Sequence, residues 1–177
     1  LIKEAAWLYV EGYLFSSDTG REASAYAVNL AKKHGTKVAV TFSDGFIVDV
    51  FGDTLRGVVA QSDLVFANFG EASRYTGFSE LEEVVSALGK EVANYAITLG
   101  EHGAFVSVDG SISKIPGEVV RAVDTTGAGD MFAGGLLYGL THGLNGEESG
   151  RLACRLAAKV VSQLGPRLPG DLAGFIR

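Results

Sequence analysis

One cysteine, Cys154, occurs in 177 residues. It can form no internal disulfide, which excludes a secreted disulfide scaffold and makes a reducing cytoplasm the expected setting. Basic charge is also short: 15 Lys and Arg stand against 21 Asp and Glu, a net charge of −6. Phosphate backbones need a basic face, so no nucleic-acid partner is expected. The acidic residues are scattered rather than run together, as on an ordinary solvated surface. Long apolar runs are missing too, since the longest, near Met131 to Leu144, is broken by glycines, Thr141 and His142. That is no membrane span, and no signal peptide is visible, so no membrane partner is expected. The only methionine is Met131, and the chain opens on Leu1 within LIKEAAWLYVEGYLF. The expectation from such a start is a fragment or a processed product.

What is present is globular: 47% apolar residues, 20% charged and 24 glycines, with no low-complexity segment. The length suits one α/β domain over residues 1–177. AAWLYVEGYL (Ala5 to Leu14) reads as a strand that turns at Gly12. Ser16 to Thr19 offer caps to a helix whose last turn, Lys32, Lys33 and His34, is cationic and is followed by Gly35. Further strands are expected at Lys37 to Phe42, Leu64 to Ala67 and Asn94 to Thr98, and a hairpin turns at Asp109-Gly110. Helices are expected at Thr54 to Gln61, Phe69 to Tyr75 and Ser79 to Leu88, where Ser79 and Glu82 have capping-box spacing. Two more run from about Asp130 to Thr141 and from about Glu147 to Gln163. Strands alternating with helices imply crossover connections, and hence a layered, mostly parallel α/β sheet. In such sheets ligands sit beyond the carboxyl ends of the strands. Ser43-Asp44, Asn68 to Glu71, Leu99 to Gly103 and Val123 to Asp130 are therefore the places to look.

The last of these lies in VDTTGAGDMFAGG, Val123 to Gly135. A Walker loop would place lysine after its final glycine, yet Gly134 is followed by Gly135 and Leu136. A dinucleotide fingerprint would place a small residue where Phe132 stands, and EGYLFSSDTG supplies none after the first strand, which removes a nicotinamide oxidoreductase. What remains is a bare turn, Gly127, Ala128 and Gly129, at the mouth of a helix. Backbone N–H groups and the helix dipole there suit an anion. Asp130 would repel that anion, unless a neutral hydroxyl lies between them and loses its proton as it attacks a phosphoryl group. Asp130 as a helix N-cap beside a tight turn is the other reading, and spacing leaves both open.

DTTGAGDMFAGG (Asp124 to Gly135) strongly resembles the C-terminal signature of the ribokinase-like (PfkB) carbohydrate and nucleoside kinases. NFGE (Asn68 to Glu71) resembles that family's N-x-x-E magnesium motif, and ITLGEHGAF (Ile97 to Phe105) its T-L-G-x-x-G nucleotide loop. The three occur in the family's order and spacing, and the similarity covers essentially the whole chain. The resemblance implies a three-layer α/β/α ribokinase-like sheet. It implies that Asp130 is the base toward the acceptor hydroxyl, with Gly127, Ala128 and Gly129 as the anion hole. Asn68 and Glu71 would hold magnesium–ATP, Glu71 through water; as a plain alternative, Glu71 is an acid favoured in a helix's first turn. Thr98, Leu99, Gly100 and Gly103 would contact ATP, or else form an ordinary strand-exit turn in which His102 is solvated. His34 and His142 need no function near helix ends. By the same resemblance, Cys154 falls at the adenine, and Asp124 and Thr126 beside a monovalent cation, such as potassium, whose backbone ligands are Val160, Gln163 and Gly165. A buried face over Leu152 to Val161 and a turn capped by Asp124 are the bland counterparts.

Two departures from the family pattern stand out. TFSDGFIVD replaces the D-P-N-x-R-like stretch of many sugar kinases and, with LYVEGYLF, looks most like the bacterial adenosine-kinase-like branch. The implied acceptor is adenosine or a related nucleoside, with a ketohexose or keto-deoxy-gluconate next and a non-catalytic nucleotide-binding remnant as the further alternative. The family's N-terminal strands, Gly-Gly signature and β lid are not found. The expectation is thus the ATP-binding, catalytic portion of a longer kinase, weakly active alone, with a sheet edge open to self-association.

Overall fold

The computed structural model describes residues 1–168. Contacts divide the chain into two compact units, Leu1–Ile97 and Thr98–Arg177.

The first unit is built on β1 (Trp7–Glu11), β2 (Lys37–Thr41), β3 (Leu64–Asn68) and β4 (Tyr95–Thr98), which lie side by side in that order. β1 pairs β2 in parallel, Trp7 opposite Lys37, and β2 pairs β3 in parallel, Ala39 opposite Leu64. Parallel neighbours need a crossover, and α1 (Asp18–His34) and α2 (Gly45–Val59) supply the first two. The buried runs Val38-Ala39-Val40 and Leu64-Val65-Phe66-Ala67 do not alternate with polar residues, as expected where a parallel strand is covered on both faces. α1 starts where Ser17 accepts from the Gly20 N–H at 3.1 Å and ends at Gly35, whose φ is +73°. Its inward stripe is Ser24, Val28 and Ala31, at helical spacing.

α3 (Phe69–Thr76) leaves β3 directly, and α4 (Leu81–Glu91) precedes β4. Two sequence expectations change in this unit. α2 begins at Gly45 rather than near Thr54, with the Asp44 carboxylate accepting from Phe46 N–H at 2.7 Å and a bend at Phe51. Glycines and β-branched residues make Gly45 to Gly52 a poor helix by propensity. Burial of Ile47, Val48, Leu55, Val58 and Val59 overrides that weakness. Nor does Ser79 cap α4, whose N-cap position is Glu80 with no side-chain bond. Capping boxes form instead on Asn68 with Glu71 and on Asn145 with Glu148.

The second unit holds the antiparallel hairpin of β5 (Ala104–Val108) and β6 (Ser111–Ile115), then α5 (Ala128–Thr141) and α6 (Gly146–Val161). Asp109 and Gly110 turn the hairpin with φ of +50° and +79°, the left-handed pair that a two-residue turn requires. α5 and α6 pack together and bury Phe132, Leu136, Leu152 and Leu156. Parallel strands with helical crossovers, plus one antiparallel hairpin, make up the mostly parallel α/β class that the sequence implies. Among the described residues, no helix is long and apolar enough to cross a membrane.

The cap assignments can be checked by urea unfolding. Asn145→Ala is expected to cost about 1 kcal/mol, and Ser79→Ala less than about 0.5 kcal/mol. An equal cost for both would contradict the placement of the second capping box.

Candidate functional site

A cleft of about 550 Å³ opens in the second unit. Thr98, Gly100, His102 and Gly103 line one part of it, Ala128, Gly129 and Phe132 another, and Cys154, Ala157, Ala158 and Val161 its floor. The loop after β4 is a single 3-10 turn, Gly100–His102, closed where Leu99 N–H donates to the Gly103 carbonyl at 2.7 Å. Leu99 thus shapes the loop through its backbone and does not line the cleft. Gly103 holds φ +94°, and a Cβ on it would stand 2.0 Å from the Ile115 carbonyl oxygen. A Cβ on Gly117 would stand 2.1 Å from the Glu101 carbonyl oxygen. Backbone therefore lies on backbone at both places, and only glycine fits.

The mouth of α5 forms the edge of the same cleft. Gly127 takes the N-cap position with φ +78°, and Met131 N–H closes the first turn on its carbonyl at 2.9 Å. Asp130 therefore does not cap the helix; it sits inside the first turn, exposed to solvent. The helix starts at Ala128, earlier than the sequence suggested. Ala128 N–H donates to the Thr125 carbonyl at 3.2 Å, so this member of the expected anion hole is not a free donor. The N–H groups of Gly129 and Asp130 have no hydrogen-bond partner among the described residues. They are the orphan donors of a helix start, carrying the positive end of its dipole.

Asp124 braces this turn from behind. One carboxylate oxygen accepts from Thr126 N–H at 2.9 Å, and the other from Gly165 N–H at 3.0 Å. Hydrogen bonds from the Thr126 side chain and backbone, and then from Gly165, hold its carboxyl below the ordinary range. Asp124, Thr126 and Gly165, expected together from the sequence, do come together. Val160 is buried and its carbonyl accepts from Gln163 N–H at 3.2 Å, while the Gln163 side chain donates to the Arg167 carbonyl. Cys154 is 8% exposed, and burial, aided by the Glu118 charge, pushes its thiol up to about 11. At neutral pH it is an uncharged, apolar part of the floor.

In the first unit, Asn68 and Glu71 meet at the start of α3. Glu71 accepts from the Asn68 backbone N–H at 2.9 Å and from its side-chain amide at 2.7 Å, and Glu71 N–H donates back to Asn68 Oδ1 at 2.9 Å. Burial raises the Glu71 carboxyl above its usual range; the backbone bond from Asn68 works against this and the Asp44 charge adds to it. Both residues line an open cavity with Asp44, Asp49 and Arg74. No group of three or more His, Cys, Asp or Glu able to hold a metal exists among the described residues. The donor set still fits magnesium, which takes one or two carboxylates and fills its shell with water and phosphate oxygens. A buried carboxylate beside a second acid is also what a nearby cation would relieve.

Sequence reasoning missed the wall formed by Gly117, Glu118, Val119, Val120 and Ala122, and the floor residues Ala157, Ala158 and Val161. Small residues spaced along α6 read as an ordinary packing face, and the stretch after Pro116 carries no motif. His102, read as a solvated loop residue, is exposed but stands on the rim of the cleft.

The two loop glycines should separate cleanly. Gly103→Ala is expected to cost about 3 kcal/mol or more and to displace the loop, because strain and a backbone clash act together. Gly100→Ala, at φ +60° with nothing within 4 Å, is expected to cost only about 1–2 kcal/mol. Urea unfolding of the two variants checks this, and similar costs would contradict the interlock of Gly103 with Ile115.

Comparison with known proteins supports the resemblance read from the motifs. The pattern of the pfkB family carbohydrate kinases matches residues 1–171. Ribokinase of Haemophilus influenzae is 33% identical over 133 residues, which are 72% of this chain and 42% of that protein. Adenosine kinase of Saccharomyces cerevisiae is 29% identical across 99% of this chain and 55% of its own length. The crystal structure of adenosine kinase from Sinorhizobium meliloti aligns at a TM-score of 0.93 with 32% identity, covering 98% of this chain and 54% of that one. The chain spans about half the length of the curated relatives it matches. Its fold is the ribokinase-like α/β fold, and the chain belongs to the pfkB family of carbohydrate kinases.

Proposed function

We propose that this chain supplies the nucleotide site and the general base of an ATP-dependent phosphotransferase whose acceptor is a nucleoside hydroxyl, adenosine first. The observation that carries the reading is the start of α5. Two unpaired N–H groups, on Gly129 and Asp130, stand at the edge of a nucleotide-sized cleft, and a carboxylate sits on the same turn.

In this reading the floor of Cys154, Ala157, Ala158 and Val161 takes the base, and the turn from Thr98 to Gly103 takes the phosphates. Gly100 and Gly103 let the backbone come close to them. Gly129 and Asp130 N–H then face the charge that develops on the transferred phosphoryl oxygens, where fixed donors are worth most. Gly127 shapes this hole by its left-handed turn, and Ala128 anchors it through Thr125. The Asp130 carboxylate accepts the proton that the acceptor hydroxyl gives up as its oxygen attacks the γ-phosphorus.

Asn68 and Glu71 would hold magnesium, Glu71 through water; when bound, the ion offsets negative charge on the phosphate oxygens. Their capping box fixes the Glu71 carboxylate before any ion arrives. Asp124, Thr126 and Gly165, already linked by hydrogen bonds, would frame a potassium ion behind the hole. A sugar hydroxyl is the second reading for the acceptor, because a ribokinase and fructokinases stand among the relatives at 30–33% identity.

Asp130→Asn tests the assignment in the purified protein supplied with magnesium–ATP and adenosine. ADP formation is expected to fall by about 10²- to 10⁴-fold, with ATP affinity changed less than about threefold. Turnover that persists within about tenfold of the unaltered protein would remove Asp130 from the role of base.

A further inference from the structure

The cleft floor selects a flat apolar ring but does not read its edge. Cys154, Ala157, Ala158 and Val161 offer a neutral thiol and methyl groups, none of which distinguishes an amine from a carbonyl on a purine. Besides Cys154, the titratable side chains that line the cleft are Glu101, His102 and Glu118. Glu101 and His102 belong to the 3-10 turn between Gly100 and Gly103, which the proposed function gives to the phosphates. Glu118 follows Gly117, whose backbone packs on that turn, and its own side chain is tied to α6, the helix that makes the floor. Arg155 Nε lies 3.7 Å from Glu118 Oε1, and Arg155 follows Cys154 directly in the chain.

We infer that Glu118 reads the base: its carboxylate accepts a hydrogen bond from the exocyclic amine of a 6-aminopurine nucleotide and turns away nucleotides that carry a carbonyl at that position. The inference rests on the nucleotide reading of the cleft and adds a base preference to it. An ionised carboxylate only accepts, and its two oxygens offer about four lone-pair sites. At 3.7 Å the Arg155 contact is an ion pair that steadies the side chain and leaves acceptor capacity over. Glu118 lines the same cleft as Cys154, Ala157 and Ala158. The Glu118 side chain is 45% exposed, so it reaches the cleft without being locked in the core. A purine amine presents N–H to this acceptor, whereas a purine carbonyl presents lone pairs to lone pairs. A charged hydrogen bond gained in one case and lost in the other separates the two ligands by about ten- to a hundredfold.

The test is equilibrium binding of ADP, inosine diphosphate and 2′-deoxy-ADP to the unaltered protein and to Glu118→Gln. Inosine diphosphate carries a carbonyl where adenine carries its amine and a proton on N1 that adenine lacks, and diphosphates avoid turnover. The unaltered protein is expected to favour ADP over inosine diphosphate by at least about tenfold. In Glu118→Gln, whose amide can donate to the carbonyl, the preference should narrow to less than about threefold. The ratio of ADP to 2′-deoxy-ADP should be the same in both proteins. Equal binding of ADP and inosine diphosphate to the unaltered protein, or an undiminished preference in the variant, overturns the role of Glu118. So does a variant that changes only the 2′-deoxy ratio, which would place the carboxylate on the ribose. If none of the three binds, the nucleotide reading of the cleft falls, and this inference falls with it.

Discussion

Most of the chemistry argued for this chain depends on one constraint: the first turn of α5 must leave N–H groups unpaired and unobstructed. A helix start always has spare donors, but side chains or caps usually consume them. Here no side chain caps the helix, and the N-cap position is a glycine in the left-handed region. A Cβ on Gly127 would come 2.5 Å from the Pro166 side chain, so this residue is fixed by packing as well as by its backbone angle. Asp124 completes the arrangement by tying Thr126 and Gly165 to one carboxylate, which joins the loop before α5 to the segment after α6. The donors are thus held open before any ligand arrives, and such preorganisation is what makes electrostatic stabilisation effective.

The remaining site residues divide by physical task. Gly103 and Gly117 serve close approach of backbone to backbone, and the α6 residues provide a small-residue floor. Asn68 and Glu71 do two jobs at once. Their capping box satisfies the start of α3, and the same bonds hold a buried carboxylate whose proton affinity is raised by burial and by Asp44. An acid placed at that cost suits a position where a cation shares its field. Cys154 is the opposite case, a polarisable group kept neutral by burial and used for its shape.

Much of the fold could be read from residue patterns, since local signals and burial agree. Lys37 to Thr41 and Leu64 to Asn68 are short apolar runs bounded by turn residues. Asp109-Gly110 is a turn chemistry with few alternatives, and Lys32 to Gly35 is a helix end in both charge and backbone. α2 was legible only in its second half, because the glycines and β-branched residues of its first half are overruled by tertiary burial. The Ser79 and Glu82 spacing was a real signal in the wrong place; spacing alone does not say which residue adopts the cap conformation. In the candidate site, Gly129 at the cleft and Gly127 and Asp130 beside it on the same turn could be singled out because a motif carries them. Glu118, Ala157 and Ala158 could not, since nothing local distinguishes them until the hairpin and α6 are placed around one cleft. The consumption of the Ala128 N–H by Thr125 was likewise invisible, because hydrogen-bond assignment within a turn needs coordinates.

The central claim concerns two amide groups, and they can be observed directly. Amide proton and nitrogen shifts of Gly129 and Asp130 should be followed by NMR as a magnesium-bound, non-hydrolysable ATP analogue is added, with adenosine as the comparison. The account predicts that both amide protons move downfield with the triphosphate analogue and show no such downfield move with adenosine alone, as expected of donors that meet phosphate oxygens. Saturating analogue that shifts the amides of Ala157 and Ala158 but leaves Gly129 and Asp130 unmoved would contradict it.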